Sequence, residues 1–255
     1  MKTLLFIAAG LAAGVFSGAL GVGGALLATP LIRFLGVTPY LAVGTTVLSI
    51  LPSTVTGAWT YARAGFVDKR AAGWTALTGS LFTILGALLT RKVDGHLLML
   101  ATAGFLMVLS IKLLPGKKTS EPGAATDIPV APVWQLSLIG VGAGFFSGLL
   151  GIGGGFVLVP VFTQWLHFPL KTSLGTSLSV IAITVIPNIA THAYVGNIDW
   201  KVALLLAVGV VPGARIGALA AIKAPERTLR LIVAVSLICV ATGYGALELT
   251  QLSSE

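Results

Sequence analysis

Charge is scarce in this chain. Lys, Arg, Asp and Glu make up 9% of its 255 residues, against about 25% in an average soluble domain, so a water-facing surface cannot cover most of it. The 8 acidic residues are too few and too peripheral to suggest a metal cage or an acid–base pair. Cysteine is nearly absent: Cys239 stands alone in LIVAVSLICVATGYG, which excludes a disulfide framework and thiolate metal ligation and leaves it a small packing residue. Long polar runs are missing too, the longest being GKKTSEPGAATDIPVAP at 116–132. A net charge of +8 would suit a nucleic-acid partner, but the 16 Lys and Arg are scattered through short loops, where they act as topology determinants and lipid contacts. What is abundant is hydrocarbon, 56% of residues with a mean hydropathy of +0.98. The chain is expected to be an integral membrane protein without cofactor or nucleic-acid partner.

The chain repeats itself. At an offset of 130, Gly14, Ser17, Gly18, Gly21, Gly23, Gly24 and Pro30 fall on Gly144, Ser147, Gly148, Gly151, Gly153, Gly154 and Pro160. After one inserted residue, Gly44, Thr45, Gly65, Asp68 and Gly86 fall on Gly175, Thr176, Gly196, Asp199 and Gly217. So long a match is duplication, dividing the chain into an N-terminal repeat (1–115), the polar linker (116–132) and a C-terminal repeat (133–255). The start MKTLLFIAAGLAAGVFSGALG also fits a secretory signal, but its internal copy lies where no signal acts.

Each repeat reads as four apolar segments: 4–35, 41–62, 71–90 and 97–114, then 134–166, 174–195, 202–222 and 229–247. At about 20 residues per crossing, the last three of each set span once. The first of each is too long for one ordinary crossing and carries glycines in its middle. It suits two half-helices meeting at a break, as a re-entrant hairpin or a discontinuous span. Charge counting separates the two. If the first segments cross once, the faces hold 8 and 7 basic residues; if they enter and return on one face, the repeats are inverted and the faces hold 10 and 5. The richer face (Arg63, Lys69, Arg70, Lys112, Lys117, Lys118, Lys171, Lys223, Arg227 and Arg230) is then cytoplasmic. The five tryptophans fall near segment ends, as interfacial rings do. The expected fold is all-α: a polytopic membrane protein of two inverted four-segment repeats, the first segment of each broken at a glycine cluster.

Gly-x-x-x-Gly pairs at Gly14 and Gly18, Gly144 and Gly148, and Gly213 and Gly217 are read as helix-packing contacts. The clusters Gly21, Gly23, Gly24 and Gly151, Gly153, Gly154, Gly155 differ. Each glycine costs a helix about 1 kcal/mol relative to Ala, and freed amides find no partner in hydrocarbon. Such breaks are expected to line a polar cavity, with half-helix N-termini aimed at an anion. A nucleotide loop is excluded, because Leu26 and Phe156 or Leu158 stand where Gly-x-Gly-x-x-Gly needs its last glycine. Thr45, Thr46, Thr176 and Ser177 start the second segments, where they either bond their own i−4 carbonyls or ligate an oxyanion. Arg215, inside VGVVPGARIGALAA, is expected to face the interior or a watery cavity, binding an anion or pairing with a carboxylate, with snorkelling near an interface as the alternative. His192 is either a proton carrier or an interfacial hydrogen bonder. Asn188 and Pro187, one turn earlier, suggest a kink with a polar face. Asp68 and Asp199 are expected to be helix N-terminal residues. Ser17, Ser147 and His192 are present, but no Gly-x-Ser-x arrangement places a nucleophile, so no catalytic site is expected.

The doubled FSGALGVGGALLATP and FSGLLGIGGGFVLVP, each followed by AVGTT or SLGTS and then GFVD or GNID, resemble the TauE/SafE family of sulfite exporters and related permeases. The resemblance implies a multi-pass transporter of the bacterial plasma membrane for sulfur-containing anions such as sulfite or organosulfonates. The expected mechanism is alternating access with a coupling ion, proton or sodium; an anion channel or a non-transporting scaffold is the rival. Ala25 stands opposite Gly155, and Tyr61 and Ile84 stand opposite His192 and Arg215, which assigns the functional charge to the C-terminal repeat.

Overall fold

Helices stop where the glycines begin. In the computed structural model, which describes residues 2–89, 130–150, 154–196, 198–229 and scattered positions from 231 to 242, eight helices are delimited. They are α1 (Lys2–Leu20), α2 (Ala25–Phe34), α3 (Pro39–Arg63), α4 (Lys69–Leu89), α5 (Val133–Leu150), α6 (Gly155–Gln164), α7 (Leu170–Val195) and α8 (Trp200–Lys223). No strand occurs among the described residues. The expected segment at 97–114, most of that at 229–247 and most of the linker lie outside them.

Among the described residues, three stretches are long and apolar enough to cross a membrane: Thr3–Leu20, Leu170–Tyr194 and Trp200–Lys223. The 25 residues of α3 reach about 38 Å at 1.5 Å per residue, enough for a hydrocarbon core of about 30 Å. Its hydropathy is lowered by hydroxyls, of which Thr45, Thr46, Ser49, Ser53, Thr54 and Thr60 are buried. In contrast, α2 and α6 have 10 residues each, about 15 Å or half that thickness.

Those short helices turn back. At Gly24 a side chain would meet the carbonyl of Ala13 at 3.2 Å and Cβ of Ser17 at 3.2 Å. In the matching place, Gly154 would meet the carbonyl of Ala143 and Cβ of Ser147. Farther along α2, Ile32 shares an apolar cluster with Phe6 and Ala9 of α1 and with Val202 and Leu206 of α8, so α2 returns toward the end from which α1 started. The first apolar segment is thus a helical hairpin.

Partners are exchanged between the repeats. A methyl group on Gly10, Gly14 or Gly18 of α1 would run into the backbone of Leu206, Val210 or Ala214 of α8, and one on Gly209, Gly213 or Gly217 into that of Ile7, Leu11 or Val15. The two helices run parallel with backbones in contact, the small-residue packing that brings membrane helices together. In the same manner α5 lies along α4, where Gly140 and Gly144 meet Thr75 and Gly79. Between these pairs, α3 and α7 run antiparallel. Gly57 and Tyr61, late in α3, pack on Leu178 and Gly175, early in α7.

Capping fits the sequence. The Asp199 carboxylate accepts from the amide of Val202 at 3.1 Å, and that of Asp68 accepts from Ala71 at 2.9 Å, satisfying first-turn donors of α8 and α4. Gly196, at φ 75°, closes α7 in the left-handed conformation. All five tryptophans are exposed, and the Arg63 guanidinium lies 3.8 Å from the Trp59 ring centroid. Outward-facing rings near helix ends match an interfacial belt.

Candidate functional site

Gly23 has φ 92° and Gly154 has φ 66°, conformations that L side chains rarely adopt. Both clusters therefore end a helix and start a new one from a sharp turn, so the starts of α2 and α6 lie inside the bundle. The two breaks touch. A Cβ on Gly155 would lie 2.6 Å from the Gly21 carbonyl, 2.8 Å from Cα of Val22 and 2.5 Å from Ile181. Ile50 of α3 and its repeat counterpart Ile181 of α7 both face Gly23. Gly151 and Gly153 lie outside the described residues.

Hydroxyls stitch this meeting point together. Ser177 donates to the Gly21 carbonyl at 2.8 Å. Thr45 accepts from the Asp199 amide at 2.9 Å, and Thr176 accepts from the Asp68 amide at 3.0 Å. These two bonds are counterparts: each repeat's second-segment threonine holds the helix cap of the other repeat. Thr46 donates to the Ala42 carbonyl at 2.9 Å and lies 2.9 Å from the Thr29 hydroxyl. Back-bonding to i−4 therefore describes Thr46, while the other three fasten distant elements. Near Gly24, Ser17 and Ser53 are hydrogen-bonded at 3.2 Å, and Tyr61 donates to the Gly18 carbonyl at 3.1 Å.

Arg215 corrects an expectation. It is exposed, on the outward side of α8 with Val211, Ile216 and Leu219. The inward side belongs to Gly209, Gly213, Gly217 and the buried Leu206, Val210, Ala214 and Ala218. Backbone contact with α1 leaves no room there for a guanidinium. No charged side chain is buried among the described residues, so the interior is polar through hydroxyls and one amide.

That amide is Asn188. It is 1% exposed, and neither Oδ1 nor Nδ2 has a hydrogen-bond partner in the protein; orphaning a buried polar group costs about 1–3 kcal/mol. Steps of 4, 3 and 4 residues along α7 place Ser177, Ile181, Thr184 and Asn188 on one helical face. Thr184 lines a seam with Thr75, Gly79, Ser147 and Gly154 that leaves no volume open to a water molecule (≈ 0 Å³). His192 is half-buried in the last turn of α7, where its carbonyl accepts from the Gly196 amide.

Ser17, Ser53 and Tyr61 were not among the expected site residues. The duplication held a signal for the two serines: Ser17 aligns with Ser147, and Ser53 with Thr184.

The description "Sulfite exporter TauE/SafE" matches residues 6–244. A "Probable membrane transporter protein" of Xylella fastidiosa (strain 9a5c) is 28% identical over 242 residues, 93% of each chain. "Probable membrane transporter protein YunE" of Bacillus subtilis (strain 168) is 25% identical over 94% of this chain and 96% of its own. "Probable membrane transporter protein ORF9" of a Sinorhizobium species is 29% identical over 93% of this chain and 90% of its own. No solved structure matches the chain. With glycine breaks and duplicated motifs inside a match that spans nearly every residue, the chain belongs to the sulfite exporter TauE/SafE family.

Proposed function

We propose that this protein is a secondary transporter of the bacterial plasma membrane that exports small sulfur-containing oxyanions, sulfite or organosulfonates, by alternating access. The transporter class follows from the family and from relatives named as membrane transporters rather than enzymes. The observation that carries the mechanism is the contact of the two breaks, Gly155 on Gly21 and Val22. The starts of two half-helices, α2 and α6, face one place in the bundle. Each brings a positive dipole end of about half an elementary charge, which favours an anion where no charged side chain is buried among the described residues.

Inverted repeats support the mechanism. Antiparallel α3 and α7, and hairpins from opposite ends meeting at their glycines, are the geometry of two halves related by an axis in the membrane plane. With both first segments returning to their own face, the loops hold 10 and 5 basic residues, and the richer face is cytoplasmic. The seam at Ser147, Gly154 and Thr184 leaves no room for a water molecule, so rocking of one bundle against the other is what opens a path to either side. The coupling ion is a proton or sodium.

Transport into proteoliposomes tests this. Labelled sulfite should accumulate with the wild-type protein. It should be lost in Gly155→Val, which fills the contact between the breaks, and be retained in Arg215→Ala. Retention by Gly155→Val would overturn the site.

A further inference from the structure

We infer that Asn188 reads a solute carrying both a hydrogen-bond donor and an acceptor, so that the favoured cargo is an oxyanion retaining an O–H group. This inference rests on the oxyanion transporter proposed above and narrows its substrate class.

A purely anionic oxygen cluster accepts hydrogen bonds and donates none. It is served by hydroxyls and backbone amides, both present at the breaks. Asn188 offers something else: its Nδ2 donates twice and its Oδ1 accepts. Both ends are orphaned in a side chain 1% exposed, and buried polar groups without partners are rare enough that each calls for a reason. A structural amide would have bonded a neighbouring carbonyl or hydroxyl, as Ser177, Thr46 and Thr54 do. Pro187 beside it lacks an N–H, and its carbonyl is already taken by the Thr191 hydroxyl at 3.0 Å. Asn188 shares a helical face with Ser177, which holds the Gly21 carbonyl, and with Ile181, which touches both breaks. From Ile181 that face reaches the orphaned amide about 10 Å farther along the helix at 1.5 Å per residue. A sulfonate can fill the Nδ2 side alone and leaves Oδ1 bare. An acid anion fills both, its oxygen accepting from Nδ2 while its O–H donates to Oδ1. A site built to bond a hydroxyl rejects the analogue that lacks it.

Hydrogen sulfite and methanesulfinate test the point, because they share charge and shape and differ by O–H against CH₃. Binding of each is measured by thermal stabilisation of the detergent-purified protein. Both anions are compared at a single pH at which sulfite carries one proton. The expected result is a preference for hydrogen sulfite of about tenfold or more that vanishes in Asn188→Leu. Equal binding of the two anions by the wild-type protein would overturn the inference and leave the oxyanion transporter standing, as would an undiminished preference in Asn188→Leu. Binding of neither anion by the wild-type protein would overturn both.

Discussion

At the scale of single residues, the role proposed for Asn188 sets stability against function. Replacing Asn188 by leucine removes two orphaned polar atoms from the interior. Asn188→Leu should therefore unfold later, by about 1–3 kcal/mol, while losing transport, the trade expected where a site is kept strained for activity. Thermal denaturation alongside sulfite flux measures both. Asp199 behaves oppositely. It caps α8, so Asp199→Ala should cost about 0.5–2 kcal/mol in the same melt. Composition foretold such caps, because an aspartate preceding a hydrophobic run has few other uses. It misplaced Arg215, since the price of a guanidinium in lipid argues for an inward position only if the inward side has room. The glycines of α8 show that it does not: they bring α1 into backbone contact.

At the scale of elements, the glycine-lined seam between α1 and α8 holds the repeats together. Gly14→Val drives a branched side chain into the backbone of Val210 and Ala214 and should destabilise by about 1–3 kcal/mol or more. Gly73, also helical, has nothing within 4 Å of its Cβ position, so Gly73→Ala should be neutral or stabilising by up to about 1 kcal/mol. A denaturation series carrying both variants separates packing from propensity. The crossed bonds from Asp199 to Thr45 and from Asp68 to Thr176 should prove equivalent, with Thr45→Val and Thr176→Val each costing about 1 kcal/mol. The helix breaks, their duplication and the small-residue pairs were all legible, because backbone freedom and close approach are written in glycine itself. Which helix meets which was not. Gly14 and Gly213 announce that each needs a close neighbour, but only tertiary packing pairs α1 with α8 of the other repeat.

For the molecule as a whole, the proposed topology turns on the hairpins. A first segment that returns to its own face leaves residues 63–70, 171–176 and 222–223 at one end: Lys171 bonds the Ile222 carbonyl at 2.5 Å, and its ammonium lies 5.9 Å from the Phe66 ring centroid. In the sequence, only the basic-residue tally, 10 against 5 rather than 8 against 7, favours re-entry over single crossing, because hydropathy reads the same for either. In cells carrying the Cys239→Ser background, an impermeant thiol reagent should label Lys201→Cys from outside. Lys69→Cys and Lys223→Cys should react only after permeabilisation. The meeting of the breaks on the solute path is tested most directly by Val22→Cys in that background. Val22 is 1% exposed and touches the start of α6. Exposed to a small sulfonate-bearing thiol reagent applied to one side of sealed vesicles and then to the other, this cysteine should be modified from both. Modification from neither side, or from one side alone, would contradict a path that opens alternately at the glycine breaks.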